Sequence, residues 1–341
     1  MNNDLSSMAE LMLPELDETM RVILQFDGTA QEPFLGMMHY QMGWVDESLQ
    51  PVEQISGKRI RPLVCLLAND ASGGYWQQAL PAAAAIEILH NFSLVHDDIE
   101  DVSPTRRGRP TIWNLWGEAQ AINCGDAMFT LAHCAMSRLL ETGTPPATVV
   151  RALRRFDNTG FRLTEGQYND MNFETREEVS VDEYINMITG KTAVLLSLSA
   201  ELGALVAGAP QDIVDHYTNF GLNLGLAFQV IDDILGIWGD ESKTGKSVAT
   251  DITTKKKTLP VLYGLENCDP LRALYRDRDA DEAFVDEVVQ LLDDAGARAY
   301  AEDRARAYST AAIEHLTATS PSGSSGEALF ELTNMLLKRD M

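Results

Sequence analysis

The stretch Glu87-Ile88-Leu89-His90-Asn91-Phe92-Ser93-Leu94-Val95-His96-Asp97-Asp98-Ile99-Glu100-Asp101 runs apolar into a knot of acid. It closes a longer run, Ala82 to Val95, that is apolar or small apart from Glu87, His90 and Asn91. Such a run predicts a mostly buried helix that carries its acids to one end. On that helix Asp97 and Asp101 stand four residues apart, so both carboxylates project from one face, roughly 5–6 Å apart, and can share a hard cation through oxygen. A second stretch repeats the design, with Gly221 to Ile231 running apolar into Asp232-Asp233.

Cations flank both stretches, although the chain has 51 Asp and Glu against 27 Lys and Arg. Gly57-Lys58-Arg59-Ile60-Arg61-Pro62 precedes the first and Arg106-Arg107-Gly108-Arg109 follows it. Thr244-Gly245-Lys246 and Lys255-Lys256-Lys257-Thr258 follow the second. Carboxylates that take divalent metal, alternating with Lys and Arg that grip anionic oxygens, are the chemistry of a polyphosphate site.

At 341 residues, length alone suggests about two domains. The charged segments are expected to converge on one substrate, which favours a single large helical domain over 1–341. Strand-like alternation is scarce, apolar residues recur at helical spacing, and Gly and Pro fall between those runs, so the fold class is all-α. A Ser/Gly/Pro stretch, Ser320 to Gly326, is expected to be a loop before a short terminal helix. The net charge of −24 excludes nucleic acid as a partner and opposes attraction to an anionic membrane. Cys65, Cys124, Cys134 and Cys268 lack metal-binding spacing and are expected to be reduced core residues of a cytoplasmic protein. Met1 to Met20 has no apolar core of a signal peptide. Thr192 to Ala209 has the length of a membrane span, but Glu201 and its polar and Gly/Pro positions favour a buried helix, so no transmembrane segment is expected.

Eight pieces in order resemble the trans-isoprenyl diphosphate synthases, or polyprenyl synthetases, over about Gly57 to Leu265. They are Gly57 to Pro62, Glu87-Ile88-Leu89-His90 leading to His96 through Asp101, Arg106-Arg107-Gly108, and Ile122-Asn123-Cys124-Gly125-Asp126. Gly166-Gln167-Tyr168-Asn169-Asp170, Gly190-Lys191-Thr192-Ala193, Phe228 to Asp233, and Thr244-Gly245-Lys246 through Asp251 to Thr258 complete the set. The resemblance implies a single helical bundle around a deep apolar cavity, with further helices over 281–341. It implies a homodimer that condenses isopentenyl diphosphate with an allylic diphosphate and releases pyrophosphate, using Mg2+, three ions in all. Asp97 and Asp101 would hold one side of that metal cluster and Asp232 the other, with Asp98 and Asp233 behind them. Arg106, Lys191 and Lys256, with Lys246 close by, would contact the allylic diphosphate. Lys58, Arg61, His90 and Arg107 would bind isopentenyl diphosphate, and Thr192 and Gln229 would face the allylic cation. His96 is expected to orient the aspartates.

Two departures stand out. The family's second acidic motif usually has a third aspartate where this chain has Gly236, and Ser56 stands where a second glycine is common. The first implies weaker metal binding on that side. Asp240 lies two helical turns beyond Asp232, some 12 Å away, too far to replace the missing acid. Phe92 and Ser93, about one turn before Asp97, are expected to line the path of the growing chain, with Trp113 and Trp116 as an alternative floor. Bulky Phe92 beside small Ser93 resembles members that stop at twenty carbons, geranylgeranyl diphosphate; farnesyl and longer products are the alternatives. Lys58, Arg61 and Arg107 weigh against a class I terpene cyclase, which needs no isopentenyl site. A non-catalytic partner subunit should have lost one acidic motif, and Gly236 hints at that reading.

Overall fold

The computed structural model describes residues 4–25, 31–52, 57–239, 250–277 and 281–338. Among them regular structure is almost wholly helical, and the one sheet is a two-stranded hairpin, as the all-α expectation requires. The expectation of a single domain over 1–341 is to be set beside two compact units. One comprises Met1–Gly160, Leu198–Tyr217 and Thr319–Leu329, the other Phe161–Ser197, Thr218–Ala318 and Phe330–Met341.

The first unit is organised on α4 (Leu80–Glu100), whose Pro81 sits in the first turn, where a missing N–H costs nothing. Its consecutive alanines, Ala82 to Ala85, are fully buried, as are Ile86, Ile88 and Leu89. A helix buried on all sides needs small residues where neighbours approach, and α6 (Glu118–Ser137) answers with Ala121, Cys124, Gly125, Met128, Ala132 and Ala135. Helix α1 (Asp4–Leu24) packs on α4 through Met12, Leu16, Met20, Ile23 and Leu24, an i, i+4 stripe with an exposed opposite face. Helices α2 (Glu32–Gln41), α3 (Ile60–Ala71) and α5 (Ile112–Trp116) belong to this unit. Between α4 and α5 lies the hairpin β1 (Thr105–Arg106) and β2 (Arg109–Pro110).

Helix α7 (Pro146–Thr175) contributes its first half to this unit and its second half to the other. In the second unit, α8 (Val181–Ile188) starts at a capping box: Ser180 accepts from the Glu183 amide, and Glu183 accepts from the Ser180 amide. A π-helical turn, Thr189–Ala193, joins α8 to α9 (Val194–Val206). Helix α10 (Gln211–Trp238) carries the second acidic stretch, followed by the short α11 (Thr250–Thr253) and by α12 (Leu259–Asn267), α13 (Asp269–Asp277), α14 (Glu282–Asp294) and α15 (Ala297–Ala318). Ile237, Ile252, Val261, Leu271, Phe284, Val288, Leu292 and Ala297 form one buried cluster, so α11 is held by Ile252 against the end of α10. Helix α16 (Gly323–Leu337) begins inside the stretch expected to be a loop, which shortens that loop to Ser320–Ser322.

Val181–Val206 and Gln211–Trp238 are each long and apolar enough to cross a membrane by composition, but their apolar windows are 78% and 61% buried within protein, as core helices are. Glu201 is buried with its charge paired to Arg155 at 2.6 Å. The four cysteines are unbonded: Cys65 and Cys124 are core residues, whereas Cys134 is exposed and Cys268 half-buried, against the expectation of a core role.

Candidate active site

In the first unit the acids end α4, and the hairpin turns cations back onto them. Thr105 pairs with Pro110 and Arg106 with Arg109, leaving Arg107-Gly108 as a two-residue loop with φ of 53° and 76°. Both central residues at positive φ match a type I′ turn, which suits the strand twist and favours glycine at its second place. Arg106 then reaches α4: its Nε donates to Asp98 Oδ1 at 2.6 Å and an Nη to Asp97 Oδ2 at 2.8 Å. Asp98 is buried, and burial pushes its carboxyl up to about 6 despite the Arg106 guanidinium. Asp97 is half-buried and Asp101 exposed at the helix end. Without a ligand, Arg106 is therefore an ion-paired residue, and its reach toward an allylic diphosphate would require leaving these carboxylates.

A second knot of cations lies around His90. Arg61 approaches His90 Nε2 at 3.4 Å, and the Arg107 guanidinium packs over Gly57 so closely that a Cβ there would lie 2.8 Å from its nitrogen. Gly57 also has φ +81°, so the position excludes side chains twice over. Arg59 caps α3 in the left-handed region, φ 48°, and its guanidinium bonds buried Glu87 at 2.7 Å. Glu87 also accepts from Asn91 Nδ2; burial lowers Arg61 and Arg107 from their usual range, and the Glu87 charge offsets part of that lowering. Burial first, then Arg61, Arg107, Arg106 and Arg59, hold His90 well below its usual range, so it is neutral and its Nε2 accepts from Arg61. Arg61 Nε is buried with no hydrogen-bond partner among the described residues. Lys58 is exposed beside this knot. Cations crowded around one buried carboxylate, with a guanidinium N–H unspent, are the electrostatics of an anion site.

In the second unit, α7 and the π-helical turn meet through glycine: a Cβ on Gly166 would lie 2.2 Å from the Lys191 amide nitrogen. The π turn sets Lys191 against Asp170, Nζ to Oδ2 at 2.5 Å. One residue on, the Thr192 hydroxyl donates to Gln229 Oε1 at 3.0 Å, and Gln229 Nε2 donates to Asp233 Oδ1 at 3.2 Å. Asp233 is buried and pushed up to about 7 by burial. Its Oδ2 accepts from the Tyr184 hydroxyl at 2.5 Å and the Leu259 amide at 3.2 Å. The amide of Gln229 is thus fixed at both ends, which is how a dipole is preorganised. Asp232 stays half-buried on α10, and Lys256 is exposed with its amide bonded to the Asp251 carbonyl. Lys246, Ser56 and Asp240 lie outside the described residues.

One expectation needs correction. His96 does not orient the aspartates; its ring packs over Gly125, 3.5 Å from the Ile122 carbonyl and 3.8 Å from Asp126. Trp113 Nε1 donates to the Ser103 carbonyl and Trp116 stands edge-on to Tyr40, so both fasten loops and helices near the hairpin. Phe92 is buried in an aromatic ladder with His96 and Phe129, continued by His133 and Phe156. Ser93 Oγ donates back to the His90 carbonyl at 2.8 Å. Sequence reasoning gave no role to Glu87, Asp170, Tyr184 or Asp251. Glu87 carried a signal as a charge inside an apolar run, and Asp170 and Asp251 stood inside matched motifs with no role assigned.

No three His, Cys, Asp or Glu side chains among the described residues converge to cage a metal. Hard carboxylates in ones and twos fit Mg2+, which binds through few protein oxygens and completes its shell with phosphate and water.

The polyprenyl synthetase family model matches residues 42–292. The chain is 41% identical over 286 residues to a (2E,6E)-farnesyl diphosphate synthase of Mycobacterium tuberculosis, covering 82% of this chain and 78% of that one. It is also 41% identical over 289 residues to a geranylgeranyl diphosphate synthase of Saccharolobus solfataricus, covering 83% and 86%. A geranylgeranyl pyrophosphate synthetase from Pyrococcus horikoshii superposes with a TM-score of 0.87 at 32% identity, covering 99% and 98%. A helical fold with paired acids and an anion-ready cluster of cations thus has its counterpart in sequence, and the chain belongs to the polyprenyl synthetase family. It is a prenyltransferase, a trans-prenyl diphosphate synthase.

Proposed function

We propose that the protein condenses isopentenyl diphosphate with an allylic diphosphate and stops at twenty carbons, as geranylgeranyl diphosphate. The observation that carries the isopentenyl assignment is the knot around neutral His90, where Arg61 and Arg107 crowd together with an Arg61 N–H unspent. Lys58, Arg61, His90 and Arg107 hold that diphosphate without metal. Asp97 and Asp101 of the first acidic stretch and Asp232 of the second hold Mg2+, as three ions, with Arg106, Lys191 and Lys256 on the allylic diphosphate and Lys246 beside them. Magnesium, bound with the diphosphate, supplies the positive charge that lets pyrophosphate leave. Thr192 and Gln229 turn fixed dipoles toward the allylic cation, and Asp98 and Asp233 position their neighbours from behind.

The twenty-carbon product rests on Phe92, a bulky ring one turn below Asp97 and braced by Phe129 and His96. A fifteen-carbon product is the second reading, since relatives of nearly equal identity carry both names. We further propose one catalytic domain over 1–341, a cytoplasmic homodimer with no membrane span; Ile122 and Phe129 on α6 expose apolar surface suited to a second copy. Incubating purified protein with Mg2+, isopentenyl diphosphate and each allylic primer, then sizing the products, tests the reading. A twenty-carbon product from each primer supports it, a fifteen-carbon product selects the alternative, and no transfer overturns it.

A further inference from the structure

Gly236 lies four residues beyond Asp232 on α10, so it shares that residue's face, as Asp101 shares the face of Asp97. It carries no acid, yet its side-chain space is taken. A Cβ built on Gly236 would lie 2.3 Å from Oδ2 of Asp251 and 3.1 Å from its Cγ. Asp251 reaches that place from α11, which is fixed on both sides. Ile252 is fully buried in the cluster with Ile237 of α10. The Asp251 carbonyl accepts from the Lys256 amide at 2.7 Å, and the Ile252 carbonyl from the Lys255 amide at 2.9 Å.

We propose that Asp251 supplies the carboxylate that α10 lacks at Gly236, and that it binds the magnesium diphosphate of this unit together with Asp232. The same geometry explains the glycine: any side chain at 236 would displace the carboxylate that stands there. A Mg2+ ion takes one or two protein carboxylates plus phosphate, which Asp232 and Asp251 can offer without a third. Weaker metal binding, expected from the sequence for this side, does not follow once the acid arrives from α11. For its ligand the inference rests on the function proposed above; its packing half does not.

The experiment is a cycle of Gly236→Asp, Asp251→Ala and the double variant, with Asp251→Asn as a charge-only control. Thermal unfolding is measured without ligand and during titration with Mg2+ plus inorganic pyrophosphate. Asp251→Ala and Asp251→Asn should both fold and should lose roughly tenfold or more in apparent Mg2+ affinity. Gly236→Asp alone should lower the unfolding temperature, because its Cβ collides with the Asp251 carboxylate. The double variant should recover both stability and Mg2+ affinity, a non-additivity expected only of groups that share a space. Unchanged Mg2+ affinity in both Asp251 variants overturns the metal half, and additive losses in the double variant overturn the packing half. Wild-type protein that transfers no prenyl group sinks the proposed function instead, and the ligand-free unfolding cycle still decides the packing.

Discussion

The two acidic stretches share a sequence pattern, an apolar helix ending in paired aspartates, but they treat the second aspartate of each pair differently. Asp98 is met by a full charge, the Arg106 guanidinium delivered by a hairpin only a few residues downstream. Asp233 is met by neutral donors, the Tyr184 hydroxyl, the Leu259 amide and the Gln229 side chain, brought from α8, α12 and its own helix. Burial raises both, to about 6 and about 7. A charged partner makes the first pair a switchable ion pair, while neutral donors make the second a fixed scaffold. The second holds the Gln229 dipole still.

The largest expected effect tests the first aspartate of the first stretch. Asp97→Ala should cut turnover by roughly a thousandfold, the scale for losing a group that stabilises developing charge. The helical fold should survive, since removing one of several crowded carboxylates relieves repulsion and Arg106 keeps Asp98. Near-normal turnover with intact circular dichroism would sink the assignment of Asp97 to the metal.

The cations should divide as their surroundings do. Arg61→Ala and Lys58→Ala should raise the isopentenyl KM about 10- to 100-fold, the range for a lost charge-assisted hydrogen bond, with little change in the allylic KM. Lys191→Ala should do the reverse, because its partner Asp170 lies in the other unit's constellation. An unchanged isopentenyl KM in the first two variants breaks the division.

What the sequence made legible follows the same contrast. Arg106 and Arg107 were readable because Arg-Arg-Gly needs only a two-residue turn to send one guanidinium to the acids and the other over Gly57. The spacing of Asp97 and Asp101 is a helical fact and needs no tertiary information. Asp251 stood inside a matched motif, but its place opposite Gly236 was not readable, because it arrives from fifteen residues away and depends on how Ile252 packs. His96 misled for the same reason. Adjacent to aspartates in sequence, it points from α4 onto Gly125 of α6, where the absent side chain leaves room for its ring. Local pattern fixes which groups share a helix face; which helix fills the space opposite is a packing outcome.

Phe92 tests a packing reading against a cavity reading. Phe92→Ala should lengthen the product by at least one five-carbon unit, and Ser93→Phe should shorten it. The first should also cost stability, about 3–5 kcal/mol for a large ring removed from a filled core and less if the ring borders open space. Product sizing with thermal unfolding separates the outcomes: a large stability loss with unchanged product makes Phe92 a rung of the aromatic ladder only.

The smallest effect tests the scaffold at Asp233, in metal-free protein. Its carboxyl binds a proton up to about pH 7 when folded and only near 4 when unfolded, because burial disfavours the charge. Between those values the folded state holds more protons than the unfolded one, so stability should fall as pH rises from about 4 to about 7 and level off above. Donors already facing the carboxylate offset part of the burial cost, which keeps the loss to a few kcal/mol at most. In Asp233→Asn, which has no proton to lose, that part of the slope should vanish in urea titrations run at each pH with a chelator. Asp98 should contribute a similar but shorter slope, ending near pH 6. If Asp233→Asn leaves the whole slope in place, the neutral scaffold is not proton-linked, and the contrast between a charge-paired and a dipole-held aspartate loses its energetic basis.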